Sequence, residues 1–331
     1  MEHKRYRRAV LLLLVVCLLC TSVSAEGIRL IPSGETIGIH VDANGLLVVG
    51  IAEVETEKGL CSPAWDAGIR IGDFIVAIGA QKVSTIQELH ASLASVAGDV
   101  AVRFLRDGRE MQLTVHPVYV QDGERELGLW LRTGISGLGT LTFVDPETQN
   151  FGALGHGVSD GDTGMLIPLK EGSIGEANVD SIHRGEKGRP GELKGSLGLD
   201  TPIGDITSNT SYGIYGTLSG DMRIGNDAVC ICSLQTLHCG PAVILSDISG
   251  AIAAYDVEIS RIYPDGNGGK DLLITVTDDT LIALTGGIVQ GMSGSPILQD
   301  GYLAGAVTHV LVNDPTRGYG IGIERMLTAA A

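Results

Sequence analysis

Short segments of alternating apolar and polar residues, separated by turn-forming residues, fill most of the chain. From Leu127 onward the alternation runs through such segments as Thr140 to Val144, Tyr255 to Ile262 and Asp271 to Thr277. A period of two residues is typical of strands that bury one face. The pattern therefore predicts a β sandwich or barrel over this part of the chain.

Residues 36 to 118 have a mixed pattern that predicts a separate α+β unit. Strand-like apolar runs at 37–41 and 46–51 are followed by a short helix that ends at Gly68. Apolar residues at helical spacing predict a second helix from Thr85 to Ala97. A strand hairpin then closes the unit.

The run from Ala67 to Ile75, Ala-Gly-Ile-Arg-Ile-Gly-Asp-Phe-Ile, resembles the core of PDZ domains attached to bacterial proteases. Such domains bind peptide ends by adding a strand to a sheet edge. The resemblance implies a groove between the first strand and the helix near Thr85, in which the amides of Ile37, Gly38 and Ile39 receive a peptide carboxylate. The alternative is a module that only packs against its neighbour.

A serine bracketed by glycines, Gly291-Met-Ser293-Gly294, has the features of a nucleophile loop. The glycines allow a sharp turn, so that the amides of Gly291 and Ser293 can point at a developing oxyanion. The pattern Gly-x-Ser-Gly-x-Pro resembles the signature of trypsin-like serine peptidases; the alternative is a tight hairpin turn. Ser295 precedes Pro296 and is biased toward extended backbone, which favours Ser293 as the nucleophile.

A serine nucleophile needs a base that accepts a proton near neutral pH, and histidine has that affinity. His156 follows a predicted strand and lies between two glycines, whereas His309 lies within a strand, so we favour His156. Spacing leaves the orienting carboxylate open. The candidates are Asp278 and Asp279, which follow one strand, and Asp160, Asp162, Asp180 and Asp205.

Several segments together resemble the stage IV sporulation protein B family, among them Phe151 to His156, Gly286 to Ile297 and Gly305 to Gly320. The resemblance spans residues 36 to 331. It implies a PDZ domain at 36–118 and a chymotrypsin-like double β-barrel peptidase domain at 119–331, with a mainly β fold overall. It also implies the catalytic triad His156, Asp278 and Ser293.

The same resemblance implies a serine endopeptidase of endospore formation, secreted by the forespore into the space between the forespore and mother-cell membranes. Such a peptidase cleaves the extracytoplasmic part of a membrane-bound regulatory protein, which releases an intramembrane metalloprotease complex to process a late sporulation sigma factor precursor. Family members also cleave themselves. The alternatives are a catalytically inactive PDZ scaffold and a general extracytoplasmic quality-control protease.

The first 25 residues have the pattern of an export segment. Basic residues from Lys4 to Arg8 precede the apolar run Ala9 to Cys20, and small residues follow at Val23 to Ala25. This order predicts a signal peptide, or an N-terminal membrane anchor if it is retained. Residues 26–35 are then a short linker, and the rest of the chain lies outside the cytoplasm.

The net charge and the cysteines bear on which binding partners and cofactors the chain has. The net charge of −16 argues against nucleic acid. We interpret the four cysteines beyond the export segment as buried thiols or a disulfide rather than a metal site, and a serine peptidase needs no metal or organic cofactor. These cysteines are Cys61, Cys230, Cys232 and Cys239.

Overall fold

The computed structural model describes residues 27–57, 59–120, 123–219, 225–266 and 268–330. The predicted export segment, residues 1–25, lies outside these ranges. Among the described residues, no helix is both long and apolar enough to cross a membrane.

Strands form most of the structure. The strands are β1 (Arg29–Pro32), β2 (Thr36–Ile51), β3 (Val54–Thr56), β4 (Gly59–Cys61), β5 (Phe74–Ile78), β6 (Gln81–Lys82), β7 (Val100–Arg106), β8 (Arg109–Val115), β9 (Val118–Tyr119), β10 (Arg125–Glu126), β11 (Leu129–Val144), β12 (Asn150–Ala153), β13 (Leu169–Glu176), β14 (Asn178–His183), β15 (Glu192–Ser196), β16 (Pro202–Thr210), β17 (Gly213–Leu218), β18 (Val229–Cys230), β19 (Gly240–Ser246), β20 (Ala253–Ile262), β21 (Leu272–Val276), β22 (Pro296–Gln299), β23 (Tyr302–Leu311) and β24 (Asp314–Gly322). The helices are α1 (Pro63–Ala67), α2 (Ile86–Ser95), α3 (Asp279–Thr285) and α4 (Ile323–Ala330).

A first barrel is closed by six antiparallel strands. The order is β2, β11, β12, β17, β16 and β13, and β13 pairs back onto β2. Alternate residues of these strands point inward, and Ile39, Phe151 and Ile174 are among the buried core residues.

A second barrel is closed by β19, β20, β21, β24, β23 and β22 in that order. Its core contains Ile244, Ile274 and Val307, all fully buried. The two six-stranded barrels confirm the predicted chymotrypsin-like double barrel.

The PDZ unit consists of β5, β7 and β8, the second half of β2, the start of β11, and helices α1 and α2. Local sequence sets both helix boundaries. Gly68 ends α1 in the left-handed conformation, and Thr85 starts α2 with a capping box to Glu88. Buried Asp73 accepts a hydrogen bond from the Arg70 amide and pairs with Arg106 at 2.7 Å.

Two 16-residue strands run from the PDZ unit into the first barrel. In β2, residues 46–47 pair with β5, whereas residues 37–43 pair with β13 of the barrel. The sequence prediction assigned the whole of β2 to the PDZ domain, because an apolar strand has the same pattern in either sheet. The pairing instead gives the first part of β2 to the peptidase barrel.

The predicted linker at 26–35 also contains ordered structure. Strand β1 pairs with β11 at Phe143 and Val144, and on its other edge with β18. Leu30 is buried in a cluster with residues of β23 and α4. Arg29–Pro32 therefore belong to the peptidase fold.

Candidate active site

A cleft of about 900 Å³ brings the predicted nucleophile and base together. Ser293, on the loop before β22, and His156, after β12, both line it. His309 of β23 lines it as well. The cleft thus receives residues from both barrels.

Strand β11 fixes the Ser293 loop through hydrogen bonds. The Thr140 amide donates to the Ser293 carbonyl oxygen at 2.9 Å, and the Thr140 hydroxyl donates to the Gly291 carbonyl oxygen at 2.7 Å. The Thr142 hydroxyl donates to the Gly294 carbonyl oxygen at 2.8 Å. Both threonines are buried, so these bonds are shielded from water. Sequence reasoning missed the two threonines, although they lie two residues apart on one face of a strand.

The loop leaves two amides available. Gly291 and Gly294 have φ values of 102° and 99°, which favour glycine. The amides of Met292 and Gly294 donate to Val289 and Val307 carbonyl oxygens, whereas those of Gly291 and Ser293 donate to no other described residue. An unengaged pair of this kind, two residues apart beside a serine, is what an oxyanion hole requires.

The Ser293 hydroxyl is in a resting orientation. It donates to the Thr308 carbonyl oxygen at 2.7 Å rather than to His156. The side chain is half-buried and lines the same cleft as His156.

The protonation state and orientation of the His156 imidazole fit the predicted role of a base. Its Nδ1 lies 3.0 Å from the Gly157 carbonyl oxygen, and because a carbonyl only accepts, Nδ1 carries the proton and Nε2 is free. Burial lowers the pKa of His156, which keeps the ring neutral at pH 7.

The His309 ring is the neighbour of the His156 ring. Desolvation, His156 and Lys270 lower the pKa of His309 to about 4. It is therefore an uncharged wall of the cleft near neutral pH. The sequence favours His156 over His309 because His309 lies within a strand, and the contact between the two rings follows only from the fold.

Two family models match parts of the chain. Residues 61–106 match the PDZ domain model, and residues 123–327 match the model described as SpoIVB peptidase S55. The chain belongs to the SpoIVB peptidase family. It is accordingly a serine peptidase, as the sequence resemblance implied. No curated protein matches the chain.

Solved structures are similar to parts of this SpoIVB-family peptidase. The PDZ domain of an SdrC-like protein from Listeria monocytogenes is 21% identical, with 28% of this chain and 90% of that chain covered and a TM-score of 0.22. The active form of the Rv3671c protease from M. tuberculosis is 12% identical, with 60% and 73% covered and a TM-score of 0.35. Its inactive form is 13% identical, with 59% and 82% covered and a TM-score of 0.32.

The structure does not bring Asp278 of the SpoIVB-family peptidase to His156. Asp278 follows β21 and caps α3, where its Oδ1 accepts from the Leu281 amide at 2.8 Å and its Oδ2 from the Asp256 amide at 3.4 Å. It is not among the residues that line the cleft. Its role as the triad acid stays a prediction.

The other carboxylates considered as partners of His156 lie in different parts of the structure. Asp160 lines the cleft, but its carboxylate pairs with Arg132, and the exposed Asp162 contacts the same arginine. Asp180 and Asp205 lie on β14 and β16. Among the described residues, none of these carboxylates forms a hydrogen bond with His156.

The predicted peptide site at Ile37, Gly38 and Ile39 is wrong for a structural reason. These residues lie in the barrel half of β2, where β11 pairs on one edge and β13 on the other. Ile37 and Ile39 are 1% and 3% exposed. No edge remains there for an added strand.

A different edge of the SpoIVB-family peptidase faces α2. Leu129 to Arg132 of β11 pair with β2 on one edge, and no other described strand pairs with them on the opposite edge. A cavity of about 160 Å³ lies between this segment and α2, lined by Ile86, Leu89 and Leu93 of the helix. Gly128 has φ 70° and a Cβ there would lie 2.5 Å from the Ala52 carbonyl oxygen, so this turn requires glycine.

The cysteines beyond the export segment are free thiols in the structure. Cys232 Sγ lies 3.2 Å from Thr236 Oγ1, and Cys239 Sγ contacts the Ser260 carbonyl oxygen at 3.7 Å. Within the described ranges, no group of three or more His, Cys, Asp or Glu side chains is placed to hold a metal ion.

Proposed function

We propose that this chain is an exported serine endopeptidase in which Ser293 is the nucleophile, His156 is the base and the amides of Gly291 and Ser293 form the oxyanion hole. The observation that carries the proposal is the pair of unengaged amides beside a serine that shares one cleft with a neutral histidine. Each part has a role that acyl transfer requires.

The reaction begins when the Ser293 hydroxyl turns from the Thr308 carbonyl oxygen toward Nε2 of His156. Oγ attacks the substrate carbonyl carbon as Nε2 takes its proton, and the two amides stabilise the oxyanion. His156 then gives this proton to the leaving amine as the C–N bond breaks. Water, deprotonated by His156, hydrolyses the acyl-enzyme, and the proton returns to Ser293.

The third member of the triad remains part of the proposal on family grounds. Asp278 would hold Nδ1 of His156 only if α3 or the histidine loop moved, because Asp278 caps α3 and Nδ1 donates to Gly157. The alternative is that the Gly157 carbonyl orients the ring. The matched substitutions of Asp278 described in the Discussion separate these arrangements.

The biological role we propose is signalling in endospore formation. The peptidase, secreted by the forespore into the space between the two membranes, cleaves the exported part of a membrane-bound regulatory protein and so releases an intramembrane metalloprotease complex that processes a sigma factor precursor. Membership of the SpoIVB peptidase family supports this role. Self-cleavage is part of the same proposal.

The groove between α2 and β11 is where we propose that the PDZ unit binds the end of a protein substrate. The unpaired edge of Leu129 to Arg132 and the apolar face of α2 support strand addition there. Leu131→Lys should weaken capture of an extended peptide, measured by fluorescence anisotropy, while Met111→Lys on the exposed edge of β8 should not.

A fluorophosphonate probe tests the catalytic proposal, because it forms a covalent bond only with an activated serine. Wild-type protein and Ser295→Ala should be labelled, and Ser293→Ala should not. Ser295 is the matched control, since it lies two residues away and is fully buried. Labelling of Ser293→Ala would overturn the assignment.

Mass spectrometry then tests the substrate. The exported domain of a candidate regulatory protein should yield discrete fragments with wild-type enzyme and none with Ser293→Ala. Cleavage of unfolded casein at an equal rate would instead indicate a general quality-control protease.

A further inference from the structure

We infer that the ion pair between Arg132 and Asp160 positions the loop that carries His156, so that both residues are positioning residues for the reaction. This inference rests on the proposed roles of His156 and Ser293. It assigns a function to two residues that neither the nucleophile motif nor the predicted triad includes.

The Asp160 side chain accepts several hydrogen bonds within the loop that follows His156, here called the histidine loop. It lies four residues after His156, lines the same cleft and is 1% exposed. Its Oδ1 accepts hydrogen bonds from the Asp162 amide at 3.1 Å, and from the Thr163 amide and hydroxyl at 2.8 Å each. One oxygen of the carboxylate therefore closes the turn that follows the histidine.

The other oxygen, Oδ2, contacts the guanidinium of Arg132, which also reaches Asp162 at 2.9 Å. A buried carboxylate is stable only when its charge is compensated. Arg132 is its only cationic partner among the described residues. Without Arg132, Asp160 would favour an open, hydrated loop.

Arg132 lies where β11 changes from the PDZ sheet to the first barrel. Its Cα pairs with Leu47, and the register shifts between Arg132 and Gly134. The same strand binds the Ser293 loop through Thr140 and Thr142. One strand therefore holds both loops of the proposed site and fixes their separation.

The backbone before His156 has an unfavourable conformation that hydrogen bonds from other elements stabilise. Leu154 has φ 70°, which is unfavourable for a leucine, and its amide donates to the Thr140 carbonyl oxygen of β11 at 3.2 Å. Asn209 holds the next part of the loop by accepting from the Val158 amide and donating to its carbonyl oxygen. Arg132 and Asp160 supply the last of these anchors.

Loop geometry matters here because the acceptor for His156 Nδ1 belongs to the loop itself. Gly157 supplies that carbonyl. If the loop opens, the ring loses its orientation, and small misplacements at a reacting group reduce rates steeply. An opened loop also hydrates the imidazole, which raises the pKa of His156 toward its ordinary value. Among the described residues that line the cleft, the other ionisable side chain, besides His156 and Asp160, is His309, whose pKa is also lowered by Lys270.

The test is the rate of fluorophosphonate labelling of Ser293 in Arg132→Ala across pH 4 to 9. We expect the limiting labelling rate to fall about tenfold to a hundredfold with little change in the half-saturating probe concentration. We also expect the acid limb of the pH profile to move to higher pH. Arg132→Lys keeps a positive charge beside Asp160. It should therefore restore most of the labelling rate and most of the wild-type position of the acid limb.

The matched control is Arg106→Ala, which breaks another pair between an arginine and a buried aspartate, Asp73, in the PDZ unit. It should lower the melting temperature without moving the acid limb. If Arg132→Ala does not fold, Arg132→Gln replaces it. If the Arg132 variant keeps the wild-type labelling rate and acid limb, and Ser293→Ala stays unlabelled, the inference is overturned. Labelling of Ser293→Ala would instead overturn the proposed function.

Discussion

The imidazole rings of His156 and His309 lie 5.1 Å apart, centroid to centroid, and are tilted by 38°. A second histidine beside a catalytic base would repel it electrostatically if both were charged. The lowered pKa values of both rings remove that repulsion near neutral pH. The pair therefore places the proposed base, His156, beside an uncharged ring.

The first prediction concerns the acid limit of activity. Because only neutral His156 accepts a proton and burial lowers its pKa, labelling of Ser293 should persist below the ordinary histidine pKa of about 6.5. His309→Ala admits water, so the acid limb should move to higher pH. His309→Phe keeps a ring beside His156 and is the control. An unchanged limb in His309→Ala would show that His309 does not shield the base.

The second prediction concerns stability and the same wall residue. The pKa of His309 is about 4 in the folded protein and about 6.5 in the unfolded chain. Between these values the unfolded chain binds a proton that the folded protein does not, so stability falls as pH drops from about 6.5 to 4. Urea unfolding should show a smaller fall for His309→Phe than for wild type. Equal falls would contradict the pKa assignment.

The third prediction concerns the support of the oxyanion hole. Thr140→Val removes the hydroxyl that donates to the Gly291 carbonyl oxygen and should lower fluorophosphonate labelling about tenfold, since an oxyanion donor is worth about a hundredfold or more when lost outright. Thr140→Ser keeps the hydroxyl and should label nearly as wild type. Loss of labelling in Thr140→Ser, with wild-type labelling in Thr140→Val, would mean that the methyl group and not the hydrogen bond matters.

The sequence predicts those features of the structure that depend on residues close together in the chain. The Ser293 turn and the capping of α2 at Thr85 are encoded within a few residues, and their glycines or polar caps are visible in the sequence. Ile37 to Ile39 illustrate the limit, because an apolar strand does not indicate which sheets will pair with its edges. Only the fold shows that both edges of that strand are occupied.

Some residues of the candidate site can be identified from local sequence, whereas others can be identified only from the fold. His156 and Ser293 stand out through flanking glycines, and the fold places both in one cleft. The partner of Arg132 is 28 residues distant, and Thr140 acts on a loop 151 residues away. Contacts of that separation depend on barrel closure, which local patterns do not specify.

The fourth prediction separates backbone strain from a steric clash. Gly294 and Gly301 both have positive φ, but a Cβ at 294 would lie 2.0 Å from the Thr140 carbonyl oxygen, whereas one at 301 meets nothing within 4 Å. Gly301→Ala should lower the free energy of unfolding by about 1 kcal/mol and keep full labelling. Gly294→Ala should lose labelling and a larger share of stability. Similar unfolding curves for both would contradict the clash.

The fifth prediction concerns Asp278, whose position at the start of α3 gives it a capping role. Asparagine caps helices about as well as aspartate, whereas alanine costs about 1 kcal/mol. If capping is its whole contribution, Asp278→Asn should melt and label like wild type, and Asp278→Ala should melt at a lower temperature but still be labelled. Asp279→Asn, one residue inside the helix, is the control for the charge itself. A loss of labelling of about ten-thousandfold in Asp278→Asn, with an unchanged melting temperature, would instead establish Asp278 as the triad acid, because that is the scale on which removing such a charge acts.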